Sequence, residues 1–193
     1  RELLGALQAA DPDLVIGSNT GSFTVESLVE GLPRPDRVIG IHYFNPAHII
    51  PLVEIHRGSQ TSDEAFDELL LAWFGNIARV LLPGRSFYIW GGYANLANYP
   101  PVLKAVGLYF SQSIIWDKQH PVLTRKDFMG AHEQAFYGWK EGAAHQFFGP
   151  ANVPDLWAVK KVNPQAMVHL TEKPVELAVL AIHFSSRHGE NVL

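Results

Sequence analysis

Between Ile39 and Gly58 the chain reads IGIHYFNPAHIIPLVEIHRG, which sets His42 and Glu54 twelve residues apart in an otherwise apolar stretch. An imidazole becomes a general base when a carboxylate fixes its tautomer and stabilises the imidazolium, so a His–Glu pair suits removal of a proton from a hydroxyl. Two other readings stand beside this one. An apolar core also holds such pairs as structural contacts. His42, His48, Glu54 and His56 are also close enough in sequence to be weighed as metal ligands, although the helical or CxxC-like spacing of zinc sites is missing. The pair can meet only if neighbouring strands carry it. RVIGIHYF and PLVEIH are the strands available, separated by Asn45-Pro46, and the two-residue period puts Glu54 and His56 on one face of the second.

The flanking elements extend this pattern. DLVIGSNT reads as a short strand, and the run from Thr24 to Gly31 opens on a capping residue and closes on glycine, as a short helix does. Strands alternating with helices predict an α/β layer. Further on, Phe66, Leu69, Leu70, Trp73, Ile77 and Val80 recur at three- and four-residue steps, which predicts a helix over 64–82 ended by Pro83-Gly84. SFYIW and LYFSQSIIWDK read as strands around a loop and helix at NYPPVLKAVG. The span 119–165, rich in Gly, Pro, Trp and Lys, has weak periodicity and reads as irregular. HLTEKPVELAVLAIHFSS is a helix whose start is set by Thr171 and Pro174, and GENVL reads as the beginning of a last strand.

Composition limits the possibilities. The 193 residues are 47% hydrophobic and 18% charged and contain no cysteine, which excludes disulfides and thiolate metal sites. Apolar runs are broken well before the roughly 18 residues a membrane span needs, and the first residues have no signal-peptide pattern, so the expectation is a cytoplasmic protein. Charge is unevenly placed. Residues 1–68 carry 4 basic and 11 acidic side chains, whereas 69–193 carry 11 and 8, and all five tryptophans fall in the second part. Two unlike pieces meeting near Thr61 to Asp67 account for the shift.

From Asp13 to Glu64 the chain resembles the 3-hydroxyacyl-CoA dehydrogenase family. VIGSNTGSFTVESL is similar to that family's SNTSS loop, and RVIGIHYFNP with PLVEIHRG is similar to its HxFNP block and following glutamate. The resemblance implies that His42 removes the substrate hydroxyl proton and that Glu54 orients it. It also implies that Ser18, Asn19, Ser22 and Asn45 surround an acyl-CoA substrate and NAD. Gly21 stands where the family has the first of two serines. The family's GxGxxG nucleotide turn occurs nowhere in the sequence.

Residues 64–193 resemble site-specific DNA methyltransferases that modify the exocyclic amines of adenine or cytosine. AWFGNIARVLLPGRSFYIWGGY, GLYFSQSIIWDKQHPVLTRKDFMGAHEQAFYGWKEGAAHQFFGP and MVHLTEKPVELAVLAI carry the likeness. It implies a doubly wound α/β core, S-adenosylmethionine as methyl donor, and a DNA-facing recognition region over 119–165. Thr171, Lys173 and Pro174 would border the methionine end of the donor, where a helix start and a cation suit a carboxylate. Lys118, Arg125, Lys126, Lys140, Lys160 and Lys161 are interleaved with Trp116, Phe128, Phe136, Tyr137, Trp139 and Trp157. Such a set can meet phosphates and stack on an extruded base, or can be an ordinary mixed surface over an aromatic core. The family's [DNS]PP[YFW] tetrapeptide and FxGxG turn are absent, and NYPP at Asn98–Pro101 has its letters in the wrong order.

The expectation is therefore an α/β chain in two parts. A dehydrogenase-like strand–helix segment, 1–63, with a partial Rossmann-like sheet is joined to an incomplete methyltransferase-like core, 64–193, and the whole is inactive in both reactions as it stands. A DNA-binding module without catalysis is the third reading. No metal, no membrane and no oligomeric state are implied.

Overall fold

The computed structural model describes residues 1–20, 23–43, 53–123, 127–163, 165, 167 and 173–192, with the backbone alone for His42, Tyr43, Val53 and Glu54. The chain divides into two compact units, Arg1–Trp73 and Phe74–Leu193. The division falls inside one long helix, α3 (Asp63–Val80), beyond the Thr61–Asp67 stretch where composition shifts. Among the described residues, no helix is long and apolar enough to cross a membrane.

The first unit holds α1 (Glu2–Ala10), β1 (Ile16–Ser18), α2 (Val25–Val29), β2 (Val38–Tyr43) and β3 (Val53–Arg57). Its sheet runs β1-β2-β3, with β1 parallel and β3 antiparallel to β2. Thr24 caps α2 by accepting a hydrogen bond from the Ser27 N–H at 3.3 Å, and Gly31, at φ +79°, reverses the chain just beyond the helix in a conformation that disfavours a Cβ. Ile16, Val25, Val29 and Val38 form a small core, with Leu4 and Leu32 packed against it. The turn after β3 is tied down by buried Thr61. Its hydroxyl donates to the Val38 carbonyl at 2.8 Å and accepts from the Gly58 N–H at 3.0 Å. Along α3 the buried positions are Ala65, Phe66, Leu70, Phe74 and Ala78, the last four at four-residue steps, while Val80 is exposed.

The second unit contains β4 (Ser86–Gly91), α4 (Tyr99–Ala105), β5 (Leu108–Val122), β6 (Gly130–Lys140), β7 (Leu156–Ala158) and α5 (Val175–Ser185). Strand order is β4-β6-β5-β7, antiparallel except for the parallel β5–β7 pair. The 119–165 span thus holds the end of β5 and all of β6, an inner strand of the sheet, contrary to the reading from periodicity. The reason is burial on both faces, because Ala135, Phe136 and Tyr137 are consecutive and all buried, which erases the alternation by which a half-buried strand is recognised. On one face Tyr137 packs with Ile114, Trp116, Trp157 and the α5 residues Leu177 and Phe184. On the other, Phe136 meets Tyr99 of α4 at 4.9 Å and Phe110 at 5.5 Å between ring centroids. A sheet with helices on both sides is the layered α/β arrangement expected. No strand forms at Glu190–Val192 among the described residues.

Candidate functional site

In the first unit the ladder between β2 and β3 sets His42 directly opposite Glu54, and Gly40 opposite His56. Ser18 pairs with Gly40 on the other side of β2, and exposed Asn19 follows it. Ser18, His42 and Glu54 therefore come from three adjoining strands at one end of the sheet. That end is formed by the carboxyl termini of the parallel pair β1–β2, where α/β sheets place ligands. The backbone register brings the candidate base and its carboxylate into the expected cross-strand relation. Their side-chain separation, and Ser22 and Asn45, lie outside the described residues.

The second unit builds a charged cluster at the start of α5. Pro174 is the N-cap residue of the helix, which has no side-chain cap, and Lys173 immediately precedes it. The Lys173 ammonium donates to Glu133 Oε2 at 2.6 Å, while Lys118 Nζ lies 2.8 Å from Glu133 Oε1. Both cations also stand over aromatic faces. Lys173 Nζ is 5.6 Å from the Trp90 ring centroid and 5.9 Å from that of Trp116, and Lys118 Nζ is 5.5 Å from Trp116. Trp116 is held in turn by its indole N–H, which donates to the Val159 carbonyl at 2.7 Å. Burial alone would raise the Glu133 carboxyl, but the Lys173 charge, with hydrogen bonds from Lys118 and Lys173, outweighs it and holds the group below its ordinary value. Two ammoniums on one carboxylate leave a single positive charge beside the start of α5, an arrangement suited to an anion. Thr171 lies outside the described residues.

The remaining cations are dispersed. Lys118 is buried at 9% exposure and engaged with Glu133, away from bulk solvent. Lys160 is exposed and Lys161, half-buried, donates its backbone N–H to the Lys118 carbonyl at 3.2 Å. Lys140 ends β6, and Arg125 and Lys126 lie outside the described residues. The aromatics interleaved with them are mainly core. Trp116, Phe136, Tyr137 and Trp157 are each no more than 7% exposed, and Trp139 stacks on His145 at 4.0 Å, so of the six only Phe128, at 87%, is strongly exposed. Burial of an aromatic run in a two-faced strand explains the pattern without a base-stacking role.

Glu133 was not legible as a site residue from the sequence. The available signal was a carboxylate within an aromatic stretch destined for burial, where an acid needs a cation. Among the described residues no group of three or more His, Asp or Glu stands together as a metal site.

The second unit is thus a layered α/β fold with a cationic cluster at the start of α5. Residues 53–193 match the family model described as DNA methylase, and the chain belongs to that family. Residues 1–80 match the model for the 3-hydroxyacyl-CoA dehydrogenase NAD binding domain, overlapping the first match over 53–80. Among solved structures, the crystal structure of the M1.HpyAVI-SAM complex is similar with a TM-score of 0.52 and 22% identity over 61% of this chain and 60% of that one, a shared fold. The crystal structure of M1.HpyAVI gives 0.48 at 18% identity over 61% and 58%. The match thus spans about three fifths of the M1.HpyAVI chain.

Proposed function

We propose that residues 64–193 are the donor-side and DNA-facing portion of an S-adenosylmethionine-dependent DNA amino-methyltransferase acting on adenine N6 or cytosine N4, joined to a dehydrogenase-type segment over 1–63. The observation that carries this reading is the Lys173 ammonium fixed at the start of α5, in a chain of the DNA methylase family. S-adenosylmethionine, when bound, supplies a methyl group activated on a sulfonium. Lys173 and the first-turn N–H groups of α5 receive a carboxylate, as the amino-acid end of that donor requires. Exposed Lys160, with Lys140 and Lys161, supplies cations for phosphates, and 119–165 is the DNA-facing region.

The 193 residues contain neither the [DNS]PP[YFW] tetrapeptide nor an FxGxG turn. We infer that the chain alone binds the donor and DNA without completing transfer. Two measurements test this: equilibrium binding of S-adenosylhomocysteine, and transfer of tritiated methyl from S-adenosylmethionine to DNA. Binding without incorporation is expected. Incorporation overturns the inferred inactivity, and failure to bind either donor product or DNA overturns the assignment. Salt-sensitive DNA retention with no donor binding supports a non-catalytic DNA-binding module instead.

The His42–Glu54 register favours a second reading, oxidation of a 3-hydroxyacyl-CoA with NAD, in which His42 takes the hydroxyl proton and Glu54 orients the imidazole. The sequence has no GxGxxG turn to hold a dinucleotide, and no step through NAD is derived. Formation of NADH that His42→Gln abolishes is the result this reading requires.

A further inference from the structure

We propose that Glu133 is a positioning residue for Lys173, acting on the donor's carboxylate only through that lysine. The inference rests on the donor-side reading of α5 above.

A lysine at the start of a helix has a flexible four-carbon stem and loses roughly 2 kcal/mol of rotamer entropy when fixed in one place. Lys173 is nevertheless held from three directions: by Glu133 Oε2 at 2.6 Å and by the rings of Trp90 and Trp116. The carboxylate is itself braced. Its second oxygen faces Lys118, whose side chain is 11% exposed, so it cannot turn away without leaving that largely buried ammonium without its partner. Lys118 stands over Trp116, and Trp116 is pinned to the Val159 carbonyl. Glu133 belongs to the inner strand β6, opposite Trp116 in the ladder with β5. The point at which the charge sits is therefore set by the sheet, and α5 supplies only the residue that carries it. A site preorganised by packed neighbours spends little of its binding free energy on ordering.

The test is a double-mutant cycle on the full chain, comparing the parent, Glu133→Gln, Lys173→Met and the double variant. Tryptophan fluorescence reads binding of S-adenosylhomocysteine and of 5′-deoxy-5′-methylthioadenosine, which has the same nucleoside and sulfur without the amino-acid carboxylate. Glu133→Gln is expected to weaken S-adenosylhomocysteine about tenfold, to leave methylthioadenosine unchanged, and to cost nothing further once Lys173 is methionine. A merely structural glutamate would weaken both ligands and would still do so in the Lys173→Met background, and either result overturns the proposal. Should Glu133→Gln fail to fold, judged by circular dichroism, Glu133→Asp takes its place in the same cycle. Its shorter reach is expected to give a partial loss confined to S-adenosylhomocysteine, and equal loss with both ligands overturns the proposal. If the parent binds neither nucleoside, the donor-side reading falls and this inference with it. If the parent binds S-adenosylhomocysteine and Glu133→Gln binds it as well or better, only the positioning role falls.

Discussion

His42 stands opposite Glu54 in the antiparallel ladder of β2 and β3. Directly opposed residues bring their Cβ atoms within about 4.5–5.5 Å, close enough for side chains of opposite charge to interact by about 0.2–1 kcal/mol. Urea unfolding of His42→Ala, Glu54→Ala and the double variant is expected to give a coupling in that range. Additive losses would remove the His–Glu pair as a unit and, with it, the dehydrogenase reading.

Acid stability follows from Glu133. Its carboxyl is lowered from an ordinary value of 4.5. A lowered folded value contributes stability that is present above the ordinary value and is lost as pH falls through the folded one. The thermal midpoint of the parent is expected to drop along that limb, and Glu133→Gln to flatten it while leaving the slope near neutrality unchanged. An unaltered acid limb in the variant would show that the two lysines do not hold the carboxylate.

Gly138 lies in β6 opposite Phe87 of β4 and Phe110 of β5. A Cβ there would overlap the Tyr109 carbonyl oxygen and come 2.9 Å from the Phe87 ring. Backbone on one side and a packed ring on the other leave no direction in which to yield, so Gly138→Ala is expected to cost about 3 kcal/mol or more. Gly92, with open space around it, is the control, and Gly92→Ala is expected to stay within about 0.5 kcal/mol. Equal midpoints in a denaturant titration would contradict the close approach at β6.

The lysines divide by environment. Lys118→Gln is expected to lower thermal stability through loss of its pair with Glu133 and to leave the salt dependence of DNA retention unchanged. Exposed Lys160 should behave in the opposite way, with Lys160→Gln reducing the log–log salt slope by about 0.9 if it meets one phosphate. A change of slope on losing Lys118 would place that lysine on the DNA.

Most elements were legible where local chemistry and packing agree. The Thr24 cap, the α3 periodicity, the strand at 86–91 and the helix after Pro174 all form where capping, breaker residues and apolar spacing point to them. Others depend on distant partners. α1 is fixed by buried Gln8, which donates to the Arg34 carbonyl at 2.7 Å and accepts from the Arg34 N–H at 3.1 Å, contacts that no periodicity in ELLGALQAA announces. β7 is three residues long and is set by alignment beside β5, with Trp157 buried. Within the sites, the His42–Glu54 relation was readable because a twelve-residue separation lets two neighbouring strands bring the pair together. The Lys118–Glu133–Lys173 cluster was not, since it is assembled from two strands and a helix start up to 55 residues apart.

The position of β6 also governs the order in which the second sheet can be made. β4 is complete at Gly91, yet its neighbour in the sheet does not begin until Gly130. During synthesis from the amino end, the ladder edge of SFYIWG stays unmatched until the β5–β6 hairpin has emerged and folded back. A ribosome halted between these points holds SFYIWG with both ladder edges unpaired, whereas in the finished sheet β6 covers one of them and, among the described residues, β4 remains an edge strand on the other side.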